Sequence, residues 1–182
     1  MSCPDSVSLR VATPADAEQI EALMKASGAA LFPLFYDERA AASAVEYVCR
    51  PDPDLLADGT YFVLEHGGEF VACGGWSRRD KLYTGGGRAG SDRLLDPATE
   101  PARVRAMFVR EDWTRRGFGR RILDASEDAA RGEGFTRLVL SATLAGLPLY
   151  LAYGFEPRGE TEEVLADGVK LRCVTMEKPI RS

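Results

Sequence analysis

A run of arginines between residues 103 and 121 is the feature of this sequence that points most directly to chemistry. It contains seven arginines against two carboxylates, a net charge of +5, in a chain of 182 residues whose total charge is −5. Concentrated positive charge in an acidic protein favours a compact anionic ligand over a polyanion such as nucleic acid or an anionic membrane surface. The sequence therefore predicts a site for a small, negatively charged molecule.

The centre of this run, Arg115-Arg-Gly-Phe-Gly-Arg120, lies between a predicted strand and a predicted helix. Gly117 and Gly119 let backbone N–H groups approach a phosphate closely, and the helix directs its positive end and unpaired N–H groups to the same place. Arginine side chains add charge-assisted hydrogen bonds. The segment predicts a cofactor that carries a di- or triphosphate; the alternative is a glycine-bearing turn in a basic surface patch.

Two other phosphate-binding loops do not match. The dinucleotide fingerprint requires a third glycine where Ile122 stands, and the Walker loop requires Gly-Lys-Ser/Thr, which this segment lacks. A protein that uses this loop to bind ATP or NAD is therefore disfavoured.

The elements around the loop predict one α+β domain over residues 1–182. Hydrophobic periodicity gives the order β-α-α-β-β-β-α-β-α-β-β. Strands at Val104–Val109 and Leu138–Leu140 enclose a helix from Gly117 to Arg131 that has one apolar face. A closing hairpin pairs Glu162–Ala166 with Val169–Met176.

Three further segments have a structural interpretation. Pro51-Asp-Pro-Asp is predicted to be a turn after a helix at Asp37–Val48. Asp80–Pro101, which contains Gly85-Gly-Gly-Arg88, is predicted to be a long surface loop. The uncharged stretch Leu138–Phe155 is interrupted by glycine and proline, so it predicts a buried strand and a short helix rather than a membrane span.

Arg115-Arg-Gly-Phe-Gly-Arg-Arg-Ile-Leu after Arg-Ala-Met-Phe-Val resembles the cofactor signature of the GNAT N-acetyltransferase superfamily. Leu149-Tyr150-Leu-Ala-Tyr-Gly154-Phe155 is similar to that superfamily's Phe-Tyr-x-x-x-Gly-Phe element. The resemblance implies a single mixed β-sheet with central splayed parallel strands and helices on both faces. It also implies acetyl-CoA as the cofactor and direct attack of an amine on the thioester, without a covalent enzyme intermediate.

By the same resemblance, backbone groups of Met107, Phe108 and Val109 hold the pantetheine and polarise the thioester carbonyl. The pyrophosphate is wrapped by Arg115, Arg116, Gly117, Phe118, Gly119 and Arg120. The sequence departs from the superfamily pattern at two places. Thr114 replaces the usual Gln or Arg that opens the loop, and Thr143 or Ala145 stands where an asparagine often contacts the cofactor.

Two residues are the candidates for proton transfer. By the resemblance to the superfamily, Tyr150 holds the position of a general acid. A thiol has a pKa of about 8.5 and a tyrosine about 10, so a positioned phenol can protonate the departing thiolate. The alternative for Tyr150, as for Tyr153, is packing at the end of the sheet. Glu100 is the candidate general base, and a solvated loop carboxylate is its alternative.

The acyl acceptor is expected to be a primary amine of a small molecule or peptide. Its pocket would be lined by Phe32, Phe35, Tyr36 and Trp76, each of which is alternatively a core residue. His66 is predicted to lie in a hairpin turn without a catalytic role. An acyl-CoA-binding regulatory module without turnover is the main alternative function.

Composition limits the partners and the compartment. Four scattered cysteines and one histidine predict free thiols and no metal site, and the N-terminus lacks a signal-peptide pattern. We therefore expect a cytoplasmic protein without nucleic-acid or membrane partners. The closing hairpin is a possible homodimer surface.

Overall fold

The computed structural model of the protein describes residues 6–82 and 93–182. Within these ranges the chain forms a seven-stranded mixed sheet with the order β1-β2-β3-β4-β5-β7-β6. Its strands are β1 Ser8–Val11, β2 Tyr61–His66, β3 Glu69–Ser77, β4 Ala102–Val109, β5 Arg137–Thr143, β6 Glu156–Val164 and β7 Lys170–Pro179. The α-helices are α1 Ala17–Leu31, α2 Glu38–Tyr47, α3 Pro53–Asp58, α4 Phe118–Gly132 and α5 Leu147–Tyr153.

Helices cover both faces of the sheet because its central strands are apolar on both sides. Tyr61 and Val63 of β2 pack with buried residues of α1 and α2. Their neighbours Phe62 and Leu64 point to the opposite face, where α4 contributes its own buried residues. The buried helical residues include Ile20, Leu23, Met24, Ala44, Ile122 and Leu123. The predicted mixed sheet with helices on both faces is confirmed.

Helix α3 corrects the prediction of a turn at Pro51-Asp-Pro-Asp. The Asp52 carboxylate accepts the Asp54 N–H at 3.0 Å, Pro53 occupies the first helical position, and Gly59 ends the helix at φ +70°. These are the cap residues that a helix requires, so a segment with turn composition begins a helix instead.

The closing hairpin is longer than the predicted pairing of Glu162–Ala166 with Val169–Met176, because β6 and β7 have nine and ten residues. Strand β7 pairs with β5 on one side and with β6 on the other. The uncharged stretch from 138 to 155 divides into most of β5 and α5, as expected. In the described part of the chain, no helix combines the length and hydropathy needed to cross a membrane.

The parallel strands β4 and β5 separate soon after they meet. In the described structure they share two register pairs, Ala102 with Leu138 and Arg103 with Val139. Farther along β4, Ala106 has a φ of +53°, and the pairing of β3 with β4 shifts register at the same level. The Tyr61 hydroxyl donates to the Ala106 carbonyl at 2.6 Å and holds this bulge. The result is a wedge-shaped gap between two central strands.

Two adjacent glycines in β3 allow close approach on both sides of this strand, Gly74 to Met107 of β4 and Gly75 to the backbone at Thr60 and Tyr61. A Cβ on Gly74 would lie 2.2 Å from Met107 Sδ, and a Cβ on Gly75 would lie 2.2 Å from the Thr60 carbonyl oxygen. The second neighbour is backbone and cannot rotate away. Glycine inside a strand is otherwise unfavourable, so this pair marks a place where backbones approach closely.

We therefore expect Gly75→Ala to lower the free energy of unfolding by about 1–3 kcal/mol, because the added methyl group forces backbone movement. Gly132→Ala is the control: a Cβ there has no neighbour within 4 Å, and alanine favours the helix by about 0.5–1 kcal/mol. Thermal melts should separate the two variants by roughly 2–4 °C per kcal/mol. Equal melting temperatures would contradict the role given to Gly75.

Candidate active site

The gap between β4 and β5 opens into a cavity of about 670 Å³. Val104 and Leu140 lie where the strands diverge, and the N-terminal turn of α4, helix α5 and the corner after α1 form the walls. One end is built by the loop between β4 and α4. The other end is built by the α1–α2 corner and the β6–β7 hairpin. The cavity therefore joins two chemically different surfaces.

Met107, Phe108 and Val109 line the cavity beside the open edge of β4. The Arg110 N–H donates to the Val71 carbonyl at 2.9 Å. Because backbone direction alternates along an antiparallel ladder, the N–H of the preceding Val109 points away from β3, toward the gap. The Val109 carbonyl accepts from Ser27 Oγ at 2.8 Å. This edge therefore offers a backbone donor to a ligand in the gap.

The loop before α4 presents backbone N–H groups to the same cavity. Arg115 and Gly117 both adopt left-handed conformations, with φ of +61° and +81°. The N–H groups in the first turn of any α-helix lack an intrahelical acceptor, and α4, which starts at Phe118, has no side-chain cap to accept from them. Gly119 is buried, and a Cβ there would come within 2.7 Å of Leu149 Cδ2. The result is a side-chain-free surface suited to an anion.

The arginines of the loop divide into two groups. Arg115 and Arg120 line the cavity, and Arg115 forms neither a hydrogen bond nor an ion pair with any described residue. Arg116 instead packs over the Trp113 ring at 4.7 Å and donates to the Asp112 carbonyl at 3.1 Å. Arg116 thus stabilises the turn, and the structure does not bring it into the cavity.

Tyr150 lines the cavity from α5, and its hydroxyl has no hydrogen-bond partner among the described residues. Burial raises its pKa, so the phenol is protonated at neutral pH. Tyr153 differs: its hydroxyl oxygen lies 2.8 Å from both Asp124 Oδ1 and Glu127 Oε2, to which its single proton can be donated, and the residue lies outside the cavity. Thr143, the remaining predicted cofactor residue, lines the cavity wall at the end of β5.

Glu100 does not lie at the site. It precedes the N-terminal end of β4, whereas the cavity opens toward the strand's C-terminal end. Hydrogen bonds from Arg93, at 2.7 and 3.0 Å, and from the Asp96 N–H lower the pKa of its carboxyl to about 2. A carboxylate paired in this way is a poor base, so the expectation for Glu100 is wrong on position and on electrostatics.

Only two of the four predicted acceptor-pocket residues lie at the cavity. Phe32 and Phe35 line the cavity, but Tyr36 and Trp76 do not. The Tyr36 hydroxyl donates to the Arg172 carbonyl and accepts the Leu144 N–H, which joins the α1–α2 corner to the sheet. Trp76 is 1% exposed and packs edge-on against Phe135 in the core.

His66 is the last residue of β2 and not part of the hairpin turn, and its ring packs at a tilt against Trp113 with the centroids 4.9 Å apart, outside the cavity. The Gly85-Gly-Gly-Arg88 segment lies outside the described residues.

Among the polar cavity residues that the sequence analysis missed, three come from β5, β6 and β7. Glu163 lines the cavity from β6, and Ser141 on β5 donates to Glu163 Oε1 at 3.3 Å. Cys173 is the third, and burial together with the nearby Glu163 charge raises its pKa to about 12. Glu163 lies in a run of exposed charged residues on an edge strand, so its position carries no distinctive sequence signal.

A buried ion pair lies where β4 meets the cavity wall. Arg105 Nη2 donates to Asp52 Oδ2 at 2.9 Å, and both side chains are 1% exposed. Lys81 Nζ lies 2.8 Å from the same oxygen. Burial alone would raise the pKa of Asp52, but its hydrogen bonds with Lys81 and Arg105 hold it below its ordinary value. The pair fixes α3 against β4.

The sequence model of the acetyltransferase (GNAT) family matches residues 21–155, about three quarters of the chain. The chain belongs to the GNAT acetyltransferase family. It is accordingly an acyltransferase with acetyl-CoA as its cosubstrate, as the resemblance implied. No curated protein sequence matches this GNAT acetyltransferase.

Solved structures show the same fold. A GCN5-related N-acetyltransferase (aminotransferase, class II) from Rhodopseudomonas palustris is 21% identical with a TM-score of 0.70, covering 98% of this chain and 99% of its own. PaiA N-acetyltransferase from Thermoplasma acidophilum, solved with coenzyme A, is 13% identical with a TM-score of 0.66, covering 96% and 99%. The ribosomal-protein-S18-alanine N-acetyltransferase from Escherichia coli is 17% identical with a TM-score of 0.58, covering 97% and 96%.

The cavity of this GNAT acetyltransferase fits acetyl-CoA on three structural grounds. The side-chain-free surface at Gly117 and Gly119 has unpaired N–H groups for a pyrophosphate. Arg115 adds a cation that no described residue neutralises. The gap beside Val109 offers a backbone donor to an extended ligand between the strands.

We expect Asp52→Asn to destabilise the protein by about 3–5 kcal/mol at pH 7, because it removes the carboxylate that pairs with the buried Arg105 charge. Glu21→Gln, which removes an exposed ion pair with Lys25, should change stability by about 0.5 kcal/mol or less. Denaturant melts check both values.

The stability difference between wild type and Asp52→Asn should depend on pH in one direction. A carboxyl with a lowered folded-state pKa stabilises the protein above its unfolded pKa of about 3.9, and this stability is lost as the pH falls through the folded-state value. The difference between wild type and Asp52→Asn should therefore narrow below about pH 4. A difference that stays constant down to pH 2 would contradict the assignment.

Proposed function

We propose that the protein transfers an acetyl group directly from the thioester of acetyl-CoA to a primary amine of a small molecule or peptide. One observation carries the proposal: a single cavity joins the uncapped N-terminus of α4 to the unpaired hydroxyl of Tyr150. The first feature suits the phosphates of acetyl-CoA and the second suits its sulfur. The neighbouring structures named as N-acetyltransferases support nitrogen as the acceptor atom.

In this proposal the first turn of α4 and the loop before it hold the cofactor phosphates. Backbone N–H groups of Phe118, Gly119 and Arg120 donate to the phosphate oxygens, and Arg115 adds charge-assisted bonds. The Val109 N–H, with its neighbours Met107 and Phe108, orients the pantetheine end and polarises the thioester carbonyl. Bound acetyl-CoA supplies a thioester whose acyl group passes to the amine nitrogen.

Tyr150 acts as the general acid. Its Oη donates a proton to the sulfur atom as the carbon–sulfur bond breaks, which avoids release of a free thiolate. Cys173 is unsuited to carry the acyl group: its raised pKa keeps it a thiol at neutral pH, and a thiol is a weak nucleophile. The chemistry at Tyr150 and Cys173 thus supports direct transfer.

Replacing Tyr150 by Phe tests the acid role. We expect kcat to fall about a hundredfold or more, with little change in the Kd for acetyl-CoA, because the variant lacks the hydroxyl proton but keeps the ring. Tyr153→Phe, which removes a hydroxyl outside the cavity, should retain kcat within about threefold. The measurement is CoA release followed with a thiol reagent in an amine-acceptor screen.

The same assay separates the alternative function. A non-catalytic acyl-CoA-binding module would bind CoA but would release no thiol from acetyl-CoA with any of the amines tested. Retained turnover in Tyr150→Phe, on the other hand, would leave the transferase proposal standing and remove the acid role.

Binding of the cofactor phosphates is tested at Arg115. Removing a charge-assisted contact costs about 1.5–3 kcal/mol, so Arg115→Ala should weaken CoA binding about tenfold or more. Arg121→Ala is the matched control because Arg121 binds the Val7 carbonyl at 3.3 Å, away from the cavity. CoA at a hundred times its Kd should raise the melting temperature of wild type by about 5–10 °C. No shift with CoA or acetyl-CoA would falsify the proposed function.

Two further proposals concern the location of the enzyme in the cell and its oligomeric state. Cys49, Cys73 and Cys173 are buried and unpaired, which supports a reducing, cytoplasmic location. A homodimer stays a prediction, and light scattering after size-exclusion chromatography tests it.

A further inference from the structure

We call the end of the cavity opposite the phosphate-binding loop the acceptor end. Its walls are apolar residues from the α1–α2 corner and the β6–β7 hairpin. These residues are Leu31, Phe32, Leu34, Phe35, Leu165 and Leu171. Glu163 is the one acidic side chain among the described residues that line the cavity.

Glu163 is held in a defined position at this end. It lies opposite Leu171 in the β6–β7 ladder, and Ser141 Oγ on β5 donates to its Oε1 at 3.3 Å. The carboxylate is half-buried, and neither Arg105 nor Arg120 neutralises it: Arg105 binds Asp52 at 2.9 Å, and Arg120 donates to the Ala152 carbonyl. Glu163 thus offers a negative charge to a ligand in the cavity.

The apolar walls continue to the protein surface. Leu34 is 72% exposed and Phe35 is 44% exposed, although both line the cavity. Exposed large apolar residues at the mouth of a cavity are typical of a ligand contact surface. A polyamine or an aminoglycoside would require several carboxylates here, because each extra ammonium needs its own partner when it leaves water.

From this arrangement, and resting on the proposed function, we infer that the acceptor is a primary monoamine on an apolar body and that Glu163 is the catalytic residue that binds its ammonium group. Such an amine could be a small arylalkyl or alkyl amine, or the free N-terminus of a peptide that begins with an apolar residue. Both present one cation attached to an apolar group.

The proton balance gives Glu163 the role of accepting the first proton from the bound ammonium group. The bound ammonium gives one proton to the Glu163 carboxylate, and the resulting amine forms the carbon–nitrogen bond as the carbon–sulfur bond breaks. The second nitrogen proton leaves when the amide forms and restores the Tyr150 hydroxyl, which has protonated the sulfur. One proton is released to solvent overall, and no oxidant or reductant is needed.

The test is Glu163→Gln, which preserves shape and the bond from Ser141. The control is Glu162→Gln, since Glu162 is the adjacent residue, points to the other face and lies 3.6 Å from Lys170. With phenethylamine as the acceptor at pH 7, kcat/KM should fall about tenfold or more in Glu163→Gln and stay near wild type in Glu162→Gln. The Kd for CoA should not change in either variant.

The pH profile separates a catalytic from a structural role. A primary amine has a pKa of about 10, so at higher pH it needs neither an ion pair nor a proton acceptor. The ratio of wild-type to Glu163→Gln activity should therefore shrink as the pH rises from 7 to 10. A constant ratio would overturn the assignment of Glu163.

The acceptor class is tested with four probes: phenethylamine, a tetrapeptide that begins with phenylalanine, spermidine and free glutamate. Preference for either of the first two supports the inference and identifies the source, whereas preference for spermidine or glutamate overturns it. Leu34→Ser should raise the KM for the preferred monoamine a few-fold, and Leu94→Ser, at 60% exposure outside the cavity, should not.

Binding measurements keep this inference distinct from the proposed function. If CoA raises the melting temperature but phenethylamine and the peptide neither turn over nor bind by calorimetry, the acceptor inference fails alone. If CoA produces no shift, the transferase proposal fails with it.

Discussion

The separation of β4 from β5 is the constraint on which the active site depends. Parallel strands normally continue their ladder, but here pairing ends after Arg103 and Val139, and the bulge at Ala106 turns the rest of β4 away. The Tyr61 hydroxyl holds the bulge by donating to the Ala106 carbonyl, and Gly74 of β3 leaves space for the neighbouring Met107 side chain. A continuous ladder would fill the gap with backbone hydrogen bonds, so the strands would have no donors left for a ligand.

The charges around the gap depend on buried partners. Arg105 lies in the cavity wall, where an unpaired cation would attract anions and oppose an ammonium group. Asp52 neutralises it, and Asp52 is in place because it caps α3 as well as binding Arg105. The helix that the sequence analysis interpreted as a turn thus neutralises a cation in the cavity wall. This linkage also explains why a short, peripheral helix matters for the site.

Sequence reasoning found the parts of the site that depend on local chemistry. The loop at Gly117 and Gly119 and the helix after it are encoded within one short segment, so these elements could be predicted from spacing, whereas the role of Tyr150 was predicted from the resemblance to the GNAT superfamily. Glu163 could not, because its role depends on a hairpin folding back across β7 to face Ser141. Glu100 failed for the same reason: it is close to β4 in sequence but lies at the wrong end of the strand.

The two ends of the cavity have opposite charge, and this polarity matches the two substrates of the proposed reaction. Arg115 and the α4 N-terminus attract the phosphates of acetyl-CoA and repel an ammonium group, whereas Glu163 does the reverse. Between them lie apolar side chains and the unpaired Tyr150 hydroxyl, where the acyl group would meet the amine. In the proposed reaction this separation of charge would orient each substrate before any shape-specific contact forms, and burial raises the pKa of Tyr150, so its hydroxyl is protonated at neutral pH.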